Sequence, residues 1–346
     1  MRRVWIGLLT ALLVLGLADA LAWSWATKRL EARYNAWAQA QRAAGWTIDS
    51  GPPRREGWPL SAALVIPHPR LSPPAAAEPG PLSWSADRLT LRLPLRFPPR
   101  LVVQPGGAQR LRLPVGPPMT YHAAQLAVAV RLSLAGRPRD ARLEVRDLIA
   151  GTTPHRLSIG FARARLDRTG PPPAIRFAFS LRDINLPHSR TWPLGRRIAA
   201  LGGHGTIDGP LPGAGSPRQR LRTWQKAGGT LRLRQAALRW GPLTASLDAQ
   251  LGLDPDLRPA GQGEAMVRGY DQALDTLAAN HALSNDSVVA AKAVLSLLAD
   301  APDHQAAGTV AIPFTLRAGR LDADGMPLLR LPPLLPTAPA AQGASG

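Results

Sequence analysis

Apolar residues run almost unbroken from Val4 to Ala26, VWIGLLTALLVLGLADALAWSWA, interrupted by Thr10, Asp19 and Ser24. A helix over this stretch, rising ~1.5 Å per residue, would be ~35 Å long and so match a bilayer core of ~30 Å. Two readings of it stand side by side. Arg2 and Arg3, the apolar run to Leu17 and the small-x-small triplet Ala18-Asp19-Ala20 form the pattern of a cleavable export signal. The apolar run beyond Ala20, with Trp23 and Trp25 at the level of an interfacial belt and Lys28 and Arg29 just past it, forms that of a retained anchor. Basic residues flank the stretch on both sides, so charge alone does not orient it; the short, signal-like start favours an N-terminus inside and the body outside. The 3.6 period then continues through Leu30, Tyr34, Trp37 and Gln41 until Gly45. The pattern predicts one helix from Val4 to Ala44, an anchor and juxtamembrane element over 1–45, whose outer half lays aromatic side chains on the folded body.

From Trp46 to Leu186 the period changes to two. Leu89, Leu91, Leu93, Leu95 and Phe97 alternate with Thr90, Arg92, Pro94 and Arg96, and Leu126, Val128, Val130, Leu132 and Leu134 repeat the pattern. Ala141, Leu143 and Val145 follow a Gly136–Asp140 turn. Leu157, Ile159 and Phe161 make another strand, in which the apolar phase slips to Ala162, Ala164 and Leu166, predicting a bulge near Phe161. Ile175, Phe177, Phe179 and Leu181 complete the series. One apolar and one charged face per strand is the pattern of antiparallel sheets with one side in water. Residues 46–186 are therefore expected to form a first antiparallel β subdomain.

The rhythm fades over 187–228, which reads as an irregular linker: a short helix over Leu194–Leu201, a Gly/Pro-rich loop over Gly202–Gly215, and a brief helix over Pro217–Ala227 carrying Leu221 and Trp224. It returns over 229–336. Leu243, Ala245, Leu247, Ala249, Leu251 and Leu253 alternate after a Gly241-Pro242 turn, and Val310, Ile312, Phe314 and Leu316 lead to a closing pair with a turn at Asp324-Gly325. Between them lies a helical pair at 270–299, the first over Tyr270–His281 and the second capped at Ser284 or Asn285. The tail 337–346 is small, uncharged and expected to be disordered. The fold class expected is mainly β with minor α: an N-terminal transmembrane helix, large curved antiparallel sheets and a helical pair near the C-terminus.

Composition changes this picture little. The net charge of +19 raises nucleic acid as a partner, but all but three of the 42 basic residues are arginines spread along the chain, no run of five occurs, and no nucleic-acid motif is present. Nucleic acid is not expected; the arginines read as solvent-facing strand positions or as a surface drawn to anionic headgroups. The absence of cysteine removes disulfides and cysteine-based zinc sites.

No catalytic, cofactor-binding or metal-ligating residue emerges. His68, His122, His155, His188, His204, His281 and His304 are scattered, without a pair at ligand spacing. Asp322-Ala323-Asp324-Gly325 opens like a calcium loop, but Pro333 stands at the twelfth position where Glu is needed, and a hairpin turn explains it better. Asp183 and Asp271 read as caps or surface charges. Asn285-Asp286-Ser287 reads as a helix start. Trp46, Trp58, Trp84, Trp192, Trp224 and Trp240 either fill cores or line an apolar groove. The protein is not expected to be an enzyme or to need a cofactor.

Arg-Arg plus one apolar span, a helix ending near Gly45, Gly57-Trp58-Pro59 before a strand, Gly228–Gly241 ending in Leu238-Arg239-Trp240-Gly241, and Gly325-Met326-Pro327-Leu328 together resemble a bacterial envelope family, domain of unknown function 2125, similar in layout to AsmA-like envelope proteins. The resemblance implies no activity, cofactor or site residue. The expectation is a single-pass inner-membrane protein with its bulk in the periplasm, or a secreted periplasmic one if the signal is cleaved. Its partners would be the membrane through the N-terminal helix and lipid or another envelope protein through an apolar sheet face. The alternative is a closed β-sandwich scaffold that recruits an envelope protein.

Overall fold

The computed structural model describes residues 2–331 except 60, 75–81, 95–98, 114–116, 134–137, 171, 211–215, 281–287, 290–291, 293–308 and 324–325, with side chains outside the description at 2–13 and 326–330. The chain divides into two compact units, Met1–Val145 and Arg146–Gly346.

The first unit begins with α1, Arg2–Ala43, one helix of 42 residues. Gly45, at φ 86°, ends it, and its N–H bonds to the Arg42 carbonyl at 2.9 Å. Trp23, Ala26, Leu30, Tyr34, Ala38 and Gln41 recur three or four apart on one covered face, with Asp19, Ala20, Ser24, Thr27 and Glu31 covered beside them. Ala26, Thr27 and Ala38 are the buried ones. Small side chains there let the helix backbone approach the sheet, so the close contact is made by alanine and threonine, while Trp37 stays 44% exposed at the edge of the stripe. Polar ties fix the docking: Arg42 donates to the Ile48 carbonyl at 2.7 Å, Trp23 Nε1 to the Glu56 carbonyl at 3.3 Å, and Arg55 pairs with Glu31 at 2.7 Å. Among the described residues no helix is long and apolar enough to cross a membrane; ten of the 23 residues of the Val4–Ala26 stretch have their side chains outside that description.

Eight antiparallel strands follow: β1 Thr47–Asp49, β2 Arg54–Glu56, β3 Ser61–Pro67, β4 Arg70–Ser72, β5 Ser83–Pro94, β6 Arg100–Arg112, β7 Met119–Leu132 and β8 Pro138–Ala150, the last containing the division between the units. β3 and β4 lie end to end along one edge of β5, β2 pairs with β3 and β1 with β4, and β5, β6 and β7 pair in order. His68, at φ 45°, makes the break between β3 and β4. Pro94 is the last residue of its strand, where its missing N–H costs the ladder least. Alternation puts the apolar residues on one face, in rows that cross the strands: Leu64, Leu91, Val103 and Val128 in one, Ile48, Leu71, Trp84, Leu111 and Met119 in another. Under α1, Ile48, Ala62, Leu64 and Ile66 are buried.

In the second unit β9 Leu157–Thr169, β10 Ala174–Asn185, β11 Arg197–Asp208, β12 Thr230–Trp240, β13 Leu243–Leu253, β14 Pro259–Arg268, β15 Thr309–Arg317, β16 Arg320–Ala323 and β17 Met326–Arg330 each pair antiparallel with the next. One row, Ile175, Ile207, Leu231, Leu251, Gly261, Leu316 and Leu321, is apolar; the row beside it on the opposite face, Arg176, Thr206, Arg232, Gln250, Gln262, Thr315 and Asp322, is polar. The pairing of Ala323 with Met326 leaves two residues between β16 and β17, the length of a hairpin turn.

Within the linker expected over 187–228, the helix over Leu194–Leu201 and the first part of the loop over Gly202–Gly215 are corrected. Arg197–Asp208 is a strand paired on both sides, not a helix and a loop. Its glycines mark close approach: a Cβ on Gly205 would meet the Arg232 carbonyl and, at 2.8 Å, the Phe177 ring. The brief helix expected after it is α2, Pro217–Lys226, held by a capping box in which Gln219 N–H donates to Ser216 Oγ and the Gln219 side chain accepts from Ser216 N–H. The bulge expected near Phe161 is not found. Register between β9 and β10 is the same on either side of Phe161, and the irregular residue is Asp183, at φ 55°, facing Gly160. Of the helical pair, α3 spans Tyr270–Ala279 and buries Tyr270, Ala273 and Leu274; most of the second helix and the whole tail 337–346 lie outside the described residues.

Candidate functional site

The apolar rows of the first unit are incompletely covered, and the gap forms a groove of about 230 Å³. Leu71 of β4, Trp84 and Leu89 of β5, Val103 of β6, and Leu126 and Val128 of β7 make its floor; Tyr34 and Trp37 of α1 and Ile48 of β1 make its wall. The floor residues are half-buried. Such a surface exposes apolar area that a fully packed core would have removed from water, at ~25 cal/mol per Å². The volume lies below the ~300–1,000 Å³ of pockets that enclose a drug-sized ligand. It suits a segment of a long apolar chain.

Polar groups adjoin two of the lining residues, Tyr34 and Trp84. Tyr34 Oη lies 3.3 Å from Ser50 Oγ. Trp84 Nε1 donates to Tyr121 Oη at 2.9 Å, and burial raises the Tyr121 phenol above its ordinary value, with the hydrogen bond from Trp84 pulling the other way. Gln109, paired in the ladder with Tyr121, is 1% exposed, and its Oε1 has no hydrogen-bond partner among the described residues.

Of the six tryptophans beyond α1, Trp84 lines the groove. Trp192, Trp224 and Trp240 donate to the carbonyls of Pro187, Asp208 and Gly195 at 2.8, 2.9 and 2.7 Å, as structural fillers do, and Trp58 is exposed. Sequence reasoning missed β6, which supplies Val103 and Pro105. Pro105-Gly106-Gly107 lies at a bulge, in which Asp87 Oδ2 accepts from Ala108 N–H at 2.7 Å and Gly107 has φ 76°. The alternation of Leu101 and Val103 was the available signal.

Asp183 pairs with Arg197 at 2.6 Å, Asp271 sits in the first turn of α3, and Asp322 pairs with Arg320 at 2.8 Å. Among the described residues no group of three or more His, Asp or Glu side chains is placed to hold a metal ion.

Comparison with known proteins gives one family. A profile described as "Uncharacterized protein conserved in bacteria (DUF2125)" matches residues 23–332. No curated protein and no solved structure matches the chain. The family match begins inside α1 and runs through both units to the last described strands, far more than half the chain. The resemblance seen in Gly57-Trp58-Pro59 and Leu238–Gly241 is thereby confirmed, and the chain belongs to the DUF2125 family of uncharacterized bacterial proteins.

Proposed function

We propose that the protein is a non-enzymatic, membrane-anchored envelope protein that holds the acyl chain of a lipid against the apolar face of its first sheet. The single observation that carries this reading is the groove between α1 and β4–β7, whose lining is apolar side chains apart from the Tyr34 hydroxyl. The connection to the anchor supports it. Trp37 and Tyr34 belong to the same unbroken helix whose N-terminal half is the Val4–Ala26 stretch. A lipid leaving the membrane surface would meet that wall first. In this reading the N-terminal half of α1 lies in the inner membrane and the sheets stand in the periplasm.

A photo-crosslinking side chain placed in the full-length protein in cells tests the site. Installed at Trp37 it should give adducts of lipid mass, and installed at Thr90, on the opposite sheet face, it should give none. Equal labelling at both positions, or no lipid adduct at Trp37, rejects the groove. A protein adduct at Trp37 would favour the scaffold reading instead.

A further inference from the structure

The second unit carries a different concavity on its polar face. It is about 430 Å³, and its polar lining is Arg165 and Asp167 of β9, Arg176 of β10, His204 and Thr206 of β11, and Arg232 and Arg234 of β12. Cross-strand pairing brings these together. Arg176 faces Asp167 on one side and Thr206 on the other, Thr206 faces Arg232, and in the neighbouring row His204 faces Arg234. At ~4.8 Å between strands, Arg176 and Arg232 are about 10 Å apart at their backbones, well within reach of two guanidinium side chains aimed at one point.

The charge is unbalanced. Arg165 is paired with Asp167 at 2.8 Å and Arg232 with Asp208 at 3.3 Å. Arg176 and Arg234 have no carboxylate within salt-bridge distance among the described residues. Like charges set close on one sheet face repel, and they do so more in a recess than on a convex surface. Guanidinium groups offer forked donors that match an oxyanion in pairs, and Thr206 and His204 add shorter donors between them. A singly charged carboxylate would satisfy one fork. A phosphate group, with several oxygens and up to two charges, satisfies both free ones.

We propose that this recess binds a phosphate-bearing anion, with Arg176 and Arg234 as the groups that recognise it and Arg165 and Arg232, held by Asp167 and Asp208, as the fixed sides of the cradle. The anion comes either from a lipid headgroup or from a soluble phosphate compound, and the test separates them.

Full-length protein in an uncharged detergent would be titrated calorimetrically with sodium diphosphate and with dihexanoyl phosphatidic acid, as wild type, as R176Q/R234Q and as the equal-charge control R100Q/R112Q. Binding of one or both probes that weakens at least about tenfold in R176Q/R234Q, is kept in the control, and falls as salt rises from about 0.05 to about 0.5 M supports the site. The tighter probe identifies the source. The single variants R176Q and R234Q guard against a misfolded double variant, each being expected to lose part of the affinity. The proposal is overturned if neither probe binds, if the double variant binds as wild type does, or if the control weakens equally, which would make the interaction one of net charge.

Discussion

Tyr121 adjoins the groove through Trp84, which lines its floor. Its hydroxyl takes the Trp84 indole N–H at 2.9 Å, and burial favours the neutral phenol, raising its pKa above the ordinary value near 10. The sign of the linkage follows. Above pH ~10 the unfolded chain releases the Tyr121 proton while the folded protein keeps it, so the stability this group contributes is complete below that pH and is lost as pH rises through the folded value. Tyr121→Phe should therefore reduce the drop in denaturant midpoint between pH ~9 and pH ~11 relative to wild type; an identical drop in the variant would contradict the assignment. Trp84 was recognisable in the sequence as one of several large aromatics that either pack or line a groove. Tyr121 was not, because its significance comes from a partner 37 positions away, and no local spacing reports such a contact.

At the scale of elements, alternation and punctuation carried most of the information. The long helix, its stop at Gly45, the brief helix over 217–227, the Gly241-Pro242 turn and the alternating strands were all legible, because each follows from local sterics, capping or period. β6 and β11 were hidden by the same residues that elsewhere mark loops. In β11, glycine is demanded from outside the strand, by the Phe177 ring and the Arg232 carbonyl on the two neighbours of Gly205. A propensity reading sees glycine and predicts a loop; the tertiary contact requires glycine and keeps a strand. Gly205→Val should consequently cost on the order of 3 kcal/mol or more, since backbone and a packed ring must both move, seen as a large fall in melting temperature. A variant as stable as wild type would remove this explanation of the strand.

For the whole molecule, the mainly β class with few helices was expected from the sequence, and the family match agrees with the motifs that suggested it. The division of the chain was not legible. It falls within β8, a strand with no change of composition, whereas Gly202, Gly203 and Gly205, at the start of a stretch expected to be a loop, lie inside a strand. Composition marks where a chain can turn, and compact units are set by which strands pair. Two faces of opposite character result, an apolar groove in the first unit and an arginine-lined recess in the second. Mass spectrometry of lipid retained by the full-length protein through extensive washing tests the groove most directly. Wild type should carry an acyl lipid, and a variant with the groove filled, Leu126→Trp with Val128→Trp, should carry none while the sheet remains folded. A wild-type protein free of lipid, or a filled variant that retains as much as wild type, would contradict the account.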